Sequence, residues 1–146
     1  MTTILDIADA VVSELNGAPD GTFGQQLSAA RSYVPLFGLA DMGTLHVTVV
    51  PRGQEIAAAG RGLTQYDFTV DIAIQQKPAD LSSATLDALM ALVNKIAGFF
   101  QGRRLAAPMQ AAVWKQTANS PIYSPKHLEE LRQFTSVLSL TFEVIQ

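Results

Sequence analysis

Two stretches of this chain alternate between apolar and polar residues along their length, and this pattern restricts the possible folds more than any other. The first is "TQYDFTVDIAIQQ" at 64–76, and the second is "QFTSVLSLTFEVIQ" at the end of the chain. One side of each stretch is mostly apolar, with Tyr66, Phe68, Val70, Ile72 and Ile74 in the first and Phe134, Leu138, Leu140, Phe142 and Val144 in the second. Side chains alternate between the two faces of a β-strand, so each stretch predicts a strand with one buried and one polar face. Such strands are typical of an antiparallel or mixed sheet that is covered on one side.

Two other stretches have the spacing of amphipathic helices. Over 3–16, apolar residues recur every three or four positions, and Thr3 followed by Asp6 resembles a capping box. Over 84–101, apolar residues again follow helical spacing, and Gly102 is suited to end the helix. We predict that these two helices cover one face of the sheet.

Three shorter segments are predicted to add strands to the sheet. They are 23–34, which ends before Pro35, then 44–51 with the sequence "TLHVTVVP", and 111–117 with the sequence "AAVWKQT". Ser124 and Pro125 predict the start of a short helix before the final strand. The predicted order of the main elements is α-β-β-β-α-β-β, with about four to five strands and two covering helices. No linker divides the chain, so residues 1–146 are predicted to form a single α+β domain.

The segment "RGQEIAAAGRGL" at 52–63 is predicted to be a loop. It contains glycines at 53, 60 and 62 and is long for a hairpin turn. Long loops in compact domains are usually functional or disordered. We therefore predict that residues 51–62 are mobile in a free subunit and become ordered against a neighbouring molecule.

Composition narrows the classes of function. The chain has 146 residues, of which 48% are hydrophobic and 16% charged, with a net charge of −3 and no cysteine. The low charge fits either a surface that contacts neighbours or a lean monomer. The negative balance does not favour nucleic-acid binding, and the lack of cysteine excludes disulfides and thiolate sites. The N-terminal region lacks the basic start of a secretory signal, and no charge-free run is long enough for a membrane helix, so no membrane partner is predicted.

No residue pattern indicates catalysis, a cofactor or a metal ion. His46 and His127 have no acid or second histidine at ligand spacing. Asp67 and Asp71 share one face of a strand but lie about 13 Å apart, which exceeds the separation of paired catalytic carboxylates. "GRGLTQ" precedes a strand, whereas a dinucleotide-binding glycine loop follows one. The sequence therefore favours a protein that is not an enzyme, and a small ligand-binding domain is the competing interpretation.

Taken in order, five stretches resemble a family of small proteins from tailed bacteriophages, the tail-terminator or tail-completion proteins. They are "ILDIADAVVSELN", "LHVTVVPRGQEI", "YDFTVDIAIQQK", "LDALMALVNKIAGFF" and "SPIYSPKHLEELRQFTSVLSLTFEV". The resemblance covers nearly the whole chain and is strongest at "VTVVPRG" and in the terminal strand. These stretches are structural signatures and not catalytic motifs. Head–tail joining proteins and minor tail proteins share the size and the α+β make-up, and a cytosolic adaptor unrelated to phage is a further interpretation.

The resemblance implies a structural virion protein of the tail or neck that is assembled in the host cytoplasm. Such a protein forms a ring, commonly a hexamer, on the head-proximal end of the tail tube, where it stops tube polymerisation. Its partners are copies of itself, the tail tube protein and a neck or connector protein, with DNA only as passing cargo and with no cofactor. The residues expected at a subunit or tube interface are Arg52, Gln54, Glu55, Arg61, Thr141 and Glu143.

Overall fold

A computed structural model of the chain describes residues 1–34 and 43–146. The elements are α1 (Ile4–Asn16), β1 (Ala29–Arg31), β2 (His46–Gly60), β3 (Leu63–Gln76), α2 (Ser83–Phe100), β4 (Val113–Ala118), α3 (Pro125–Leu131) and β5 (Phe134–Ile145). The five strands form one sheet in the order β1-β2-β3-β5-β4. β1 is parallel to β2, and the other neighbouring strands are antiparallel. The predicted α+β class is confirmed, with a mixed sheet and with α3 as a third helix.

The hydrophobic core lies between one face of the sheet and the helices α1 and α2. Both helices have the N-terminal caps that their sequences require: Thr3 and Asp6 form a reciprocal capping box, and the Ser82 hydroxyl accepts from the Thr85 amide. The two helices contribute Ile7, Ala8, Val11, Leu15, Leu89, Leu92, Val93, Ile96 and Phe100 to the core. The sheet contributes the apolar face of each long strand, including Phe68, Val70, Ile72, Leu138, Leu140 and Phe142. The predicted buried faces of β3 and β5 are therefore confirmed.

Within the described residues, α2 is the one helix whose length and composition would also suit a membrane span. It carries Asp87 and Lys95, and its apolar stripe packs on the sheet as part of the core. Charge-free runs in the sequence do not reveal this property of α2, because Asp87 and Lys95 interrupt them while the mean hydropathy of the helix stays high.

One polar residue interrupts the apolar face of β5. Ser136 is buried there, and its hydroxyl donates to the Ile122 carbonyl at 2.6 Å and to Asn119 Oδ1 at 3.2 Å. Buried hydroxyls need such partners. Ser136 thus ties the turn before α3 to the beginning of the last strand.

The first strand is much shorter than predicted. The sequence predicted 23–34, but only Ala29–Arg31 pair with β2. Gly21 and Gly24 have φ values of 86° and 75°, which a regular strand does not accommodate. Phe23 turns instead into the core and packs edge-on against Phe99. Pro35, the predicted end of this strand, lies outside the described residues, as does most of the connector predicted at 36–43.

The prediction of a loop at 52–63 is wrong. β2 continues through this segment to Gly60 and pairs with β3 in a long hairpin. The three alanines at 57–59 and the proline at 51 are poor strand formers, but pairing with the strongly patterned β3 overrides their preferences. The reversal at 60–63 depends on Gly60 and Gly62, whose φ values of 140° and 75° suit glycine alone.

Candidate functional site: the polar sheet face and the hairpin arm

The face of the sheet opposite α1 and α2 carries the polar residues of the long strands, and we call it the polar face. The register of β3 with β5 places Asp67 opposite Glu143, Thr69 opposite Thr141, and Asp71 opposite Ser139. Residues that face one another across two strands are close enough to interact directly. The alternation that builds the core therefore also brings these polar side chains together.

A β-bulge in each flanking strand adds a cation to this face. The register of β2 with β3 shifts between Pro51 and Gly53, so Arg52 is an extra residue in β2. The register of β4 with β5 shifts between Trp114 and Gln116, so Lys115 is an extra residue in β4. Bulges redirect side chains, and both of these cations reach across to carboxylates on the central strands β3 and β5.

At one end of the polar face, Arg52 contacts Ser139 and Asp71, and we call the contacting side chains on this face the polar cluster. Its Nη1 atom donates to Ser139 Oγ at 2.8 Å and lies 3.5 Å from Asp71 Oδ1. Ser139 Oγ in turn donates to Asp71 Oδ1 at 2.6 Å. The three side chains form a chain of contacts from β2 across β3 to β5.

Lys115 binds the other end. Its Nζ atom lies 2.6 Å from Asp67 Oδ2 and 3.8 Å from Glu143 Oε2. Gln65 Nε2 donates to both carboxylates, at 3.2 Å each. The hydrogen bond to Asp67, together with the negative charges of Asp67, Glu143 and Glu55, raises the pKa of Lys115. Lys115 thus keeps two facing carboxylates of like charge side by side.

Between these two ends the polar face forms a shallow depression of about 610 Å³. Its floor is the Thr69–Thr141 pair, whose hydroxyl oxygens lie 3.0 Å apart. Thr141 is only 6% exposed, so this hydroxyl pair is a structural contact as well as part of a surface. The side chain of a residue at Gly53 would meet no atom within 4 Å, which leaves the depression open at the β2 side.

The depression and its rim carry an excess of negative charge. Two carboxylates, Glu55 and Asp67, line it together with the cations Arg52 and Lys115. Two further carboxylates, Asp71 and Glu143, lie beside it on the polar face, where they pair with the same two cations. Glu55 faces the same side as its register partner Asp67. Within 1–34 and 43–146, no ion pair or hydrogen bond engages the Glu55 carboxylate directly. The depression is therefore suited to a cationic group.

The far end of the β2–β3 hairpin, in which 54–60 pairs with 63–68, forms one edge of the sheet, and we call it the hairpin arm. Its inner strand is supported by the end of β5, because Thr64 and Gln146 exchange two backbone hydrogen bonds of 2.9 Å. The outer edge of β2, on the side away from β3, pairs with no strand after Val49 in the described part of the chain. Ile56 is 56% exposed and Leu63 is 49% exposed on this arm. The arm thus presents free backbone groups and apolar side chains together.

The structure brings together most of the residues that the sequence predicted for an interface. Arg52, Glu55 and Thr141 surround the depression, and Glu143 joins its rim through Lys115. Gln54 also lines the depression, although its register partner Phe68 faces the helices. Arg61 is separate from the others, at the tip of the hairpin arm.

Sequence reasoning missed Lys115, Gln65 and Ser139 as members of this cluster. Asp67 and Asp71 were considered only as a catalytic pair and then as a solvated strand face. Each aspartate instead pairs with a different cation. The signal that could have pointed to Lys115 was a single cation within a short segment predicted to be a strand.

A second groove, of about 680 Å³, lies between α1 and the residues that follow α2. Its partly buried carboxylate, Glu14, accepts from Arg103 Nη1 at 3.3 Å and from the Ala106 amide at 2.9 Å. The Arg103 guanidinium also stacks 3.9 Å from the centre of the Phe99 ring. These contacts hold the connector after α2 against α1, which is a structural role.

Neither comparison with known proteins assigns a family: no protein-family model matches the chain, and no curated protein matches it. In the part of the chain that the structure describes, no three histidine or acidic side chains are grouped so that they could hold a metal ion. The polar face and the hairpin arm are thus the features from which a function can be argued.

Proposed function

We propose that this protein is a tail terminator or tail-completion protein of a tailed bacteriophage, a structural component that forms a ring on the tail tube. The observation that carries the proposal is the hairpin arm, whose outer edge and apolar side chains have no partner in the described part of the subunit. The resemblance of the sequence to this family supports the same function.

An arm of this kind is suited to contact another chain. An unpaired strand edge offers a row of amide and carbonyl groups to which a second strand can add. Ile56 is exposed on the face of the arm that also carries its register partner Tyr66, and burial of Ile56 from water in such a contact would stabilise it. The strand is also held in place by β3 and β5, so little conformational entropy is lost when it binds.

In such a contact, the surface presented by the arm of one subunit would differ from the surface of the next subunit that receives it. Such head-to-tail contacts produce a ring when the rotation between subunits closes, and a filament when it does not. A closed ring at the end of a tube leaves no free arm for further addition and thereby stops polymerisation. The proposed partners are copies of this chain, commonly six, the tail tube protein and a neck protein, with DNA passing through the ring in the virion.

Another head–tail joining protein or a minor tail protein is an alternative role for this chain. In that role the same arm would be used, but the protein to which it binds would be different. A small ligand-binding domain is the second candidate, and the observation that favours it is the polar depression on the sheet face. Its two cations are already engaged by Asp67, Asp71 and Ser139, which makes it a poor site for an anionic ligand.

A tube-growth assay tests the proposed function. Purified protein would be added to polymerising tail tube protein, and tube lengths would be measured by electron microscopy. We expect shorter tubes with a ring at one end. Unchanged tube lengths and bare tube ends would contradict the proposal.

The matched control is a variant with a shortened arm. Ala57 and Gln65 are register partners, so residues 58–64 can be replaced by Asn-Gly to give a two-residue hairpin turn. Gln65 and the cluster around Lys115 remain in this variant. We expect it to fold and to leave tube growth unaffected.

A further inference from the structure

We propose that Arg61 at the tip of one subunit's hairpin arm docks into the acidic depression on the polar face of a second copy. This contact rests on the proposed ring and specifies which two surfaces of the subunit meet in it. It pairs Arg61, which lies apart from the other predicted interface residues, with the depression around which most of those residues lie.

Arg61 is presented to the solvent without a partner of its own. It lies in the turn between Gly60 and Leu63, it is exposed, and both neighbouring residues are glycines. No ion pair or hydrogen bond holds its guanidinium among the residues described. A cation in the turn at the end of the arm, two residues from exposed Leu63, is placed to reach another molecule.

Arg61 cannot reach the depression of its own subunit. The lining residue of the depression nearest the tip is Glu55, and an extended strand runs from there to Gly60. Five residues at about 3.3 Å each give a separation of about 17 Å, which exceeds the length of an arginine side chain. The receiving surface for Arg61 must therefore belong to a second chain.

The depression matches an arginine in charge and in shape. The polar face around it, with Asp71 and Glu143 included, holds two more carboxylates than cations. Among the described residues Glu55 makes no hydrogen bond or ion pair, and its charge acts on Lys115 only at longer range. A guanidinium is planar and carries several donors, so it can bind a carboxylate and a hydroxyl at the same time. The floor supplies the Thr69 and Thr141 hydroxyl oxygens, and Gly53 leaves the entrance open.

Arm and depression are different surfaces of one chain, so the contact is head-to-tail, as a ring requires. Because the charges meet at a partly exposed surface, the association should weaken as the salt concentration rises.

A charge-swap experiment tests the contact directly. Arg61→Glu places a negative tip against the negative depression, and Glu55→Lys removes part of the negative rim. We expect each single variant to weaken self-association by about tenfold or more, because like charges in an interface are strongly unfavourable. The double variant restores opposite charges and should recover most of the association. Association would be measured by sedimentation velocity at several salt concentrations.

Lys126→Glu is the matched control. Lys126 is an exposed cation on α3, and its replacement changes the net charge as Arg61→Glu does. We expect this variant to associate as the parent does. Thermal unfolding of every variant separates loss of association from loss of folding.

The outcomes separate this contact from the proposed function. If the parent forms rings and Arg61→Glu forms them equally well, the arm–depression contact is wrong and the ring function stands. If the double variant is no better than the single variants, the pairing of Arg61 with the Glu55 side of the depression is wrong. If the parent neither self-associates nor binds tail tubes, the proposed function fails and the contact fails with it.

Discussion

The two faces of the sheet are built from alternate residues of the same strands, yet they differ in what completes them. On one face, α1 and α2 close over Phe68, Val70, Leu138, Leu140 and Phe142, and the core is finished within the chain. On the other face, two bulged cations and four carboxylates form a surface with excess negative charge, beside an arm whose outer edge is unpaired in the described structure. The comparison indicates that one face of each strand specifies the fold, while the other face and the arm are the surfaces that we propose for assembly. Changes on the two faces should therefore have separable effects.

The largest effect on stability is expected from the core face. Phe142 is fully buried and packs edge-on against Phe100. Its register partners on the two neighbouring strands are Phe68 and Trp114. We expect Phe142→Ala to lower the free energy of unfolding by about 3–5 kcal/mol, because a cavity is added to the lost burial. Urea denaturation measures this change. A variant as stable as the parent would mean that this face of β5 is not the core face.

A smaller effect is expected where the polar face contributes to the fold. Thr141→Val preserves shape but leaves the Thr69 hydroxyl without its partner at 3.0 Å. We expect a loss of about 0.5–1.5 kcal/mol in the same urea experiment. Thr69→Val combined with Thr141→Val should recover part of the loss, because neither strand then carries an unpaired hydroxyl. The pairing would be contradicted if the double variant lost more free energy of unfolding than the two single variants lose together.

The ion pairs around Lys115 should appear in the pH dependence of stability. The pKa of Lys115 is raised above its ordinary value of 10.5, chiefly by the hydrogen bond to Asp67. A raised pKa in the folded state means that the contribution is fully present below the ordinary pKa and is lost as the pH rises through the raised value. We expect Lys115→Met to melt at a lower temperature than the parent at neutral pH. Above pH 10.5, the difference between the two melting temperatures should become smaller. A difference that stays constant over this range would show that the ion pairs do not stabilise the fold.

The smallest effect on stability is expected on the arm, where the effect on assembly should be large. Ile56→Asp changes a side chain that is more than half exposed in the subunit. We expect the free energy of unfolding to change by about 0.5 kcal/mol or less. Self-association should be lost, because a charge would replace an apolar contact. Normal association of this variant would remove Ile56 from the interface.

The parts of the fold that could be predicted are those in which a single chain segment carries its own pattern. β3 and β5 alternate strictly enough, and α1 and α2 repeat at helical spacing clearly enough, for the sequence to show their faces. β2 could not be predicted beyond Pro51, because alanines and glycines carry little pattern and the strand depends on pairing with β3. β1 could not be limited to three residues, because the positive φ angle of Gly24 is visible only in the structure.

The candidate site was predictable in part for the same reason. Thr141 and Glu143 were placed on the polar face by alternation within β5. The positions of Arg52 and Lys115 depend on bulges, and a bulge is a property of two paired strands that neither strand shows alone. Arg61 is predicted as part of a loop together with the other interface residues, whereas the structure places it in the turn at the far end of a long hairpin.

Native mass spectrometry of the purified protein, alone and together with tail tubes, tests the central claim most directly. We expect one closed oligomer, with a single stoichiometry that does not grow as concentration increases, and we expect the shortened-arm variant to remain a monomer. A parent protein that stays a strict monomer at high concentration and does not bind tail tubes would contradict the account.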